Sequence, residues 1–500
     1  MNTVFVDPAA PVTGSNLPRI RERFGADVDV LVVGAGPAGI IAADKLSAGG
    51  GEVLLVDAGR AHTVRVCPVE LMRSCLGCKG ICNVISGFGG CVHYGDGVKL
   101  SRFPSGRRLA ELLGPARAAR LENEALRTWL GTGVPSFRGV RGWSPFPVKD
   151  YPVVPLTSVE VMAMLDRMHD RVSATAGLEL RLGTEVLSLT PVPPAGWVAR
   201  LRDRRQGEYL VRAGSVVVAV GRRGRSWWHR QIRVLGVDFA PPVPSVGVRF
   251  EMAAELLRGG AAVHEDFKTT LTRNGVKVKT FCFCSGAGGG RIKFTDYAME
   301  GYTLLDGHVI AEPATDATAN FALLAQLRDD DGRPWDTTRI ETDLLTPYRR
   351  LRPDRPGKPV LQWLPDFRAI RLGCASVEEF TARSGVTPSV RDYRMANLAG
   401  ILPSTVRTAL LSAFDDLIGF FAGSGTAHEE QVGVIGLELE NTWDELVVSP
   451  SLETSVSRLY AAGDCAGLAQ GILQAGVGGL AAAEGILGPS VTPMTEGIAG

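Results

Sequence analysis

Residues 28–33 read VDVLVV, an apolar run broken only by Asp29. Such a run predicts a strand buried on both faces. A glycine-rich turn, GAGPAG, follows at 34–39, then IIAADKLSA with helical spacing, then a second apolar run, EVLLVD, at 52–57. Helical patterns recur at 106–135, broken at Pro115, and at 158–177 and 403–423. Residues 184–212 alternate and predict a strand meander leading into the strand GSVVVAVGRRG at 214–224. Valine-rich stretches at 243–251 (VPSVGVRFE) and 276–284 (VKVKTFCFC) predict a second sheet with helices on it. The tract GILQAGVGGLAAAEGIL (471–487) carries Glu484 and five glycines, so it predicts a buried helix rather than a membrane span.

The chain has 500 residues, too many for one ordinary core. The pattern divides it into an N-terminal arm (1–24), a discontinuous nucleotide-type domain (25–225 with 440–500, holding a helical insert at about 106–150) and a substrate or cap domain (226–439). Fifty-four basic against 53 acidic residues leave a formal charge of +1, which demands neither nucleic acid nor an anionic membrane as partner. No signal pattern and no run of 18 apolar residues is present, so the expected location is cytoplasmic. Nine cysteines in a reducing compartment point to metal or redox chemistry where they cluster, not to disulfides.

A lone GxGxxG is weak evidence. Here it joins a strand to a helix, and Asp57 closes the next strand 23 residues after Gly34. In that context it predicts a dinucleotide site. Gly34 serves the turn, Gly36 lets backbone approach a pyrophosphate beside Pro37 and Ala38, Gly39 lets helix pack on strand, and Asp57 is placed for a ribose. The sequence after Tyr460 runs Ala-Ala-Gly463-Asp464 into the glycine-rich helix opening near Gly471, and Gly221 follows the strand at 214–220. These three stretches together resemble the glutathione-reductase-like FAD-binding fold. The resemblance implies an α/β fold: a Rossmann FAD-binding domain with an inserted α+β substrate or cap domain. It further implies that Asp464 contacts the ribityl chain and that the last helix points its N-terminus at the flavin. No second strand–GxGxxG–helix unit occurs; GAGGG at 286–290 runs on into RIKFTD, strand-like. A dedicated nicotinamide domain is not expected.

Further motifs resemble the bacterial FAD-dependent dehydrogenases: Cys67-Pro68, Cys75, Cys78 and Cys82, then Gly87-Phe88-Gly89-Gly90, Asp96-Gly97, Thr280-Phe281-Cys282-Phe283-Cys284, Ala219-Val220-Gly221-Arg222 and Gly247-Val248-Arg249-Phe250-Glu251. The match runs over residues 27–488. Val98 interrupts the family's Asp-Gly-Lys before Lys99, Ser285 replaces a proline, Gly463-Asp464-Cys465 replaces Gly-Glu-Gly, and Cys91 stands where alanine is usual. In this fold the segment 67–91 passes over the cofactor, and Gly89 and Gly90 supply backbone contacts there.

Three readings of the cysteines compete. Cys67, Cys75, Cys78 and Cys82 space as C-x7-C-x2-C-x3-C and could hold zinc or an iron–sulfur cluster. Cys75 and Cys78, or Cys282 and Cys284, could relay electrons by thiol–disulfide exchange, with Arg73 and Lys79 close in sequence. Free cysteines also pack as small apolar side chains, the reading favoured for Cys91, Cys374 and Cys465. Alternation in TFCFC places Cys282 and Cys284 on one strand face. His93 and Tyr94 are candidate acid–base groups, so the catalytic candidates are Cys75, Cys78 and His93. Arg222 and Arg249 could clamp a substrate acid. RRGRSWWHR (222–230) could form a basic, stacking nucleic-acid patch or simply a crossover with a solvated face. The expected function is an FAD-dependent oxidoreductase acting on a small molecule, with an unidentified electron donor or acceptor. The alternatives are a flavin-dependent RNA-modifying protein and a non-catalytic flavin electron carrier or redox sensor.

Overall fold

The computed structural model describes residues 27–68, 72, 74–75, 81–92, 97–194, 196–297, 302–315, 317–423, 428–440 and 444–488. The arm at 1–24, Arg73, Cys78, Lys79, His93, Tyr94 and Asp96 lie outside the described residues.

The chain is mixed α/β and builds two sheets. The first opens with β1 (Val28–Val33), helix α1 (Pro37–Ala48) and β2 (Val53–Asp57). A small ladder of β3 (Val98–Ser101) and β4 (Val153–Leu156) flanks helix α2 (Pro115–Leu130) and precedes helix α3 (Ser158–Ala174). Thr157 caps α3, its hydroxyl accepting from the Glu160 N–H while Glu160 reaches back to the Thr157 N–H, so the pattern at 158–177 starts where a capping box starts it. Then come β5 (Leu178–Leu182), β6 (Thr184–Val192), β7 (Gly196–Asp203) and β8 (Gly207–Val218). β5, β2, β1 and β8 pair in parallel, and β6, β7 and the first half of β8 form the antiparallel meander. β8 is long because its two halves serve two pairings, Gly207–Ala213 with β7 and Ala213–Val218 with β1.

Helix α4 (Arg225–Leu235) follows. It packs onto the first sheet: Trp227 Nε1 donates to the Leu187 carbonyl at 3.0 Å and Trp228 Nε1 to the Cys465 carbonyl at 3.1 Å. Trp228 is buried, so it presents no face for base stacking.

The second sheet is antiparallel, apart from a short β9 (Phe239–Ala240) that pairs elsewhere. Its strands are β10 (Ser245–Ala253), β11 (Thr270–Arg273), β12 (Val276–Cys284), β15 (Thr318–Gln326), β16 (Val360–Trp363) and β17 (Gly433–Glu440), in the order β11-β12-β15-β10-β17-β16. A hairpin of β13 (Gly290–Tyr297) and β14 (Tyr302–Val309) stands beside it. The glycines at 286–290 make the tight turn into that hairpin. Helix α5 (Ser404–Phe421) lays Val406, Leu410, Phe414, Leu417 and Phe421, one helical stripe, on this sheet. The chain then returns through β18 (Glu445–Leu446) and β19 (Leu459–Ala461), which adds in parallel to β8, and ends in helix α6 (Ile472–Leu487).

α6 is glycine-rich for a packing reason. A Cβ at Gly479 would stand 2.2 Å from the Ala38 carbonyl oxygen of α1, and one at Gly476 2.8 Å from the Ile41 side chain. Two helices approach this closely only where side chains are missing. No helix among the described residues is long and apolar enough to cross a membrane.

Candidate functional site

One deep cleft of about 280 Å³ runs between the two sheets. Its first wall is mostly backbone: Gly36, Pro37 and Ala38 at the start of α1, Asp57 at the end of β2, Gly90, Gly221 after β8, Gly463 and Asp464 after β19, and Gly471 and Ile472 at the start of α6.

The three fingerprint glycines differ in what demands them. Gly34 has φ +106°, and a Cβ there would meet the Ala219 carbonyl oxygen at 2.4 Å. A Cβ on Gly39 would lie 1.8 Å from the Gly34 oxygen. The protein itself requires these two. Gly36 is different: its φ is −84°, and a Cβ would touch only the Gly90 Cα, at an ordinary 3.8 Å. Among the described residues nothing forbids a side chain at Gly36, which faces open cleft.

Gly89 and Gly90 reach this wall because a loop is pinned there. The Gly89 N–H donates to the Ala35 carbonyl at 2.8 Å. Asp57 ties the loops together: Oδ2 accepts from the Ala35 N–H at 2.9 Å, and Oδ1 from the N–H groups of Gly59 and Gly87 at 2.7 and 2.9 Å. An ionised carboxylate has about four acceptor sites, so Asp57 keeps room for a ribose hydroxyl. Arg65 is one residue that sequence reasoning missed, as it missed Tyr151, Asp266, Lys268 and Asp306 on the opposite wall. Arg65 is fully buried and donates to four carbonyls of the same loop, those of Asn83, Val84, Phe88 and Gly90. No local pattern marks an arginine whose partners lie 18 to 25 residues away.

The second wall is built from side chains. Lys99 in β3 donates to Asp266 Oδ1 at 2.6 Å and to the Phe283 carbonyl; Tyr151 OH donates to Asp266 Oδ2 at 2.6 Å, and Lys268 lies 2.9 Å from that oxygen. Burial opposes the Asp266 charge, but Lys268 and Lys99 outweigh it and hold the carboxyl well below the usual range. Burial likewise works against the Lys99 ammonium, yet Asp266 beside it keeps its pKa raised. Asp306 and His308 of β14 also line the cleft, 3.3 Å apart. Burial disfavours the Asp306 charge, while His308, Arg222 and Arg249 prevail and bring its pKa down to about 2. Arg222 bridges the walls, 3.0 Å from Glu440 and 3.4 Å from Asp464. Burial pushes the Asp464 carboxyl up, against the pull of Arg222.

Of the expected cofactor residues, Gly36, Pro37, Ala38, Asp57, Gly90, Gly221, Gly463, Asp464 and Gly471 line the cleft, while Gly34, Gly39 and Gly89 support it from behind. The cysteines fall out differently from the pattern. Cys67 and Cys75 are buried in an apolar cluster with Val84, Ile292, Phe294, Cys374 and Val390, with Cys82 at its edge, away from the cleft. Among the described residues no group of three or more His, Cys, Asp or Glu is gathered to hold a metal ion. Cys78 and His93 lie outside the described residues.

Cys91, read as a packing residue, instead opens into the cleft. Although its surface is exposed, the protein crowded around it, then Asp464 and Asp306, pushes its pKa up to about 12. Cys282 also lines the cleft, but Cys284 does not. The expectation that they share a strand face fails because β12 bulges: its register on β15 shifts between Phe281 and Cys284, and Cys282 has φ +43°. Phe281 and Cys282 therefore both line the cleft, which strict alternation forbids. Burial pushes the Cys282 thiol up to about 12. Arg249 holds the bulge through the Cys282 carbonyl at 3.2 Å, and is otherwise committed to Glu438 at 2.8 and 3.0 Å and to Asn320 at 2.8 Å. Fully buried, it cannot clamp a substrate acid.

No family model matches the chain, and no curated protein matches it. Solved structures align with it loosely. Aklavinone-11 hydroxylase, in a ternary complex with FAD and aklavinone, is 16% identical over 92% of this chain and 62% of its own, with a TM-score of 0.39. A geranylgeranyl bacteriochlorophyll reductase-like protein from Thermoplasma acidophilum is 14% identical over 92% and 77%, with a TM-score of 0.40. A flavoprotein/dehydrogenase from Cytophaga hutchinsonii is 12% identical over 93% and 80%, with a TM-score of 0.36. The chain spans about three fifths of the length of aklavinone-11 hydroxylase and of an anhydrotetracycline hydroxylase from Streptomyces rimosus. Likeness this loose assigns no residue a role.

Proposed function

We propose that this chain is an FAD-dependent oxidoreductase of the glutathione-reductase-like fold, with the second sheet as its substrate domain. The observation that carries the reading is Gly36: a glycine at a helix N-terminus that neither backbone conformation nor protein packing requires, facing a cleft. A pyrophosphate is the group for which backbone at that place must be bare.

The rest of the first wall fits the same ligand. The N-termini of α1 and α6 both open on the cleft, and each offers amide groups without intrahelical partners to negative charge. Asp57 and Asp464 both line the cleft, and they would serve a ribose and a ribityl chain respectively. Gln474, in the first turn of α6, is buried and its Oε1 has no partner; a Cβ on Gly471, at the cleft edge, would meet it at 2.3 Å. The flavin would supply the electron or hydride transfer itself. The chain's part is to hold it along the first wall, to keep Lys99 charged beside Asp266 on the second, and to leave Tyr151 hydrogen-bonded to the same carboxylate as a place where a proton can reside. The motifs shared with the bacterial FAD-dependent dehydrogenases point the same way.

The test is the Gly36→Val variant beside the parent. The parent is expected to purify with, or take up, FAD that is released on denaturation. Gly36→Val keeps the parent's circular dichroism and unfolding midpoint but binds no flavin. A parent that cannot be loaded with FAD, or a variant that binds it unchanged, ends this reading.

A further inference from the structure

The second wall carries more positive charge than it neutralises. Lys99 and Lys268 both line the cleft, and both lean on one carboxylate, Asp266. A third lysine, Lys149, stands 5.6 Å from the centre of the Tyr151 ring, on which Lys268 sits at 4.9 Å. Three ammonium groups are thus gathered around a carboxylate that already accepts a tyrosine hydroxyl. The surplus shows at Lys149, whose pKa is lowered by its burial and then by Lys268 and Arg107. The other acids of the cleft have partners of their own: His308 lies beside Asp306, Arg222 reaches both Asp464 and Glu440, and backbone N–H groups hold Asp57.

Donors remain on these lysines. An ammonium has three, and Lys99 spends one on Asp266 and one on the Phe283 carbonyl. Lys268 is 28% exposed and directs one at Asp266. Around them the cleft surface is apolar, with Ile85, Val98, Phe281 and Val309. A cationic point set in an apolar surface complements a ligand with an apolar body and one anionic end.

We infer that Lys99 and Lys268, positioned by Asp266, form an anion subsite, and that the small molecule taken by the cleft is an organic acid with an apolar body and a carboxylate. This rests on the flavoprotein reading above and names its substrate class. A phosphate, inorganic or from a nicotinamide dinucleotide, would satisfy the same charge but not the apolar surface.

The experiment is isothermal titration calorimetry on the full chain as purified and loaded with FAD, using benzoate as the probe, benzamide as its neutral counterpart, and inorganic phosphate and NADPH as rival anions. Benzoate should bind at least about tenfold more tightly than benzamide, and Lys268→Gln should weaken benzoate about tenfold while Lys268→Arg keeps most of the affinity. Lys268 is the safer position because it is part-exposed; Lys99→Gln, in the buried pair, is read only together with its unfolding midpoint. Equal binding of benzoate and benzamide, no benzoate binding, or an unaffected Lys268→Gln would overturn the subsite. Phosphate or NADPH binding lost in Lys268→Gln, with benzoate inert, would assign the lysines to a cofactor phosphate and overturn the organic acid. Flavin content from the absorption spectrum of the same samples separates the two ideas: an unloadable protein sinks the flavoprotein reading, while a loaded protein with no preference for benzoate sinks only the subsite.

Discussion

The central strands of the two sheets are buried alike but with opposite contents. In β1 the residues from Val30 to Val33 are all buried and all apolar, and the one buried acid, Asp29, is met by the Glu52 N–H at 2.9 Å. β10 and β17 are buried along almost their whole length too, yet they carry Arg249, Glu251, Glu438 and Glu440. At the centre of the first sheet apolar area does most of the holding, at roughly 25 cal/mol per Å². The second keeps ionisable groups inside, with Arg249 against Glu438 and Glu440 against Arg222, and an ion left alone there would cost several kcal/mol. The difference matches what each sheet presents to the cleft: bare backbone from the first, committed side chains from the second. A backbone wall suits a ligand common to many proteins, whereas a charged wall discriminates between substrates.

The strongest challenge to this contrast is Arg249→Met. It strands Glu438 in the core and frees the Cys282 carbonyl, so it should lower the unfolding free energy by about 3–5 kcal/mol in urea titrations. Adding Glu438→Leu should recover much of that loss, because the cost lies in the unpaired charge. A single variant as stable as the parent would make the second sheet no different from the first.

The next effect is a pH dependence arising in the second sheet. Burial pushes the Glu251 carboxyl up from 4.5 to about 7, against the Ser389 hydrogen bonds and Arg249. Between those values the folded chain holds a proton that the unfolded chain has lost, so stability falls as pH rises from 4.5 and the fall is complete above about 7. Glu251→Gln should flatten this component, worth up to about 3 kcal/mol, in denaturation curves across the same window. An unchanged slope in the variant would show that Glu251 ionises inside the fold as readily as outside it.

The smallest expected effect concerns the cysteines buried away from the cleft. Cys75 packs with Ile292 and Phe294 in an apolar cluster, so Cys75→Ala should cost about 1 kcal/mol and leave flavin content unaltered. A much larger loss, accompanied by zinc or iron in the parent by metal analysis, would restore a ligand role to the group that includes Cys78.

Much of the first sheet was legible because its signals are local. The run VDVLVV, the turn GAGPAG and the closing Asp57 each depend on neighbours within a few residues, and β1, α1 and β2 follow them. The meander over 184–212 and the buried helix at 471–487 were equally plain. β5, LELRL, was not foreseen: only half-buried, it takes its place by pairing with β2 rather than by apolar content. Nor was the bulge at Cys282, since TFCFC alternates cleanly and only the Arg249 contact shows why the strand departs from it.

By itself, then, the sequence determined a strand–turn–helix unit, its bare backbone and the acid at the next strand end, because glycine conformation and hydrophobic period act over short distances. Tertiary structure alone decided which charges meet. Lys99 and Asp266 are 167 residues apart, Tyr151 and Asp266 are 115 apart, and Arg249 and Glu438 are 189 apart. It also decided that Cys75 packs while Cys91 and Cys282 face the cleft. A buried charge or thiol takes its chemistry from whatever stands within a few ångströms of it, and a spacing along the chain does not carry that information.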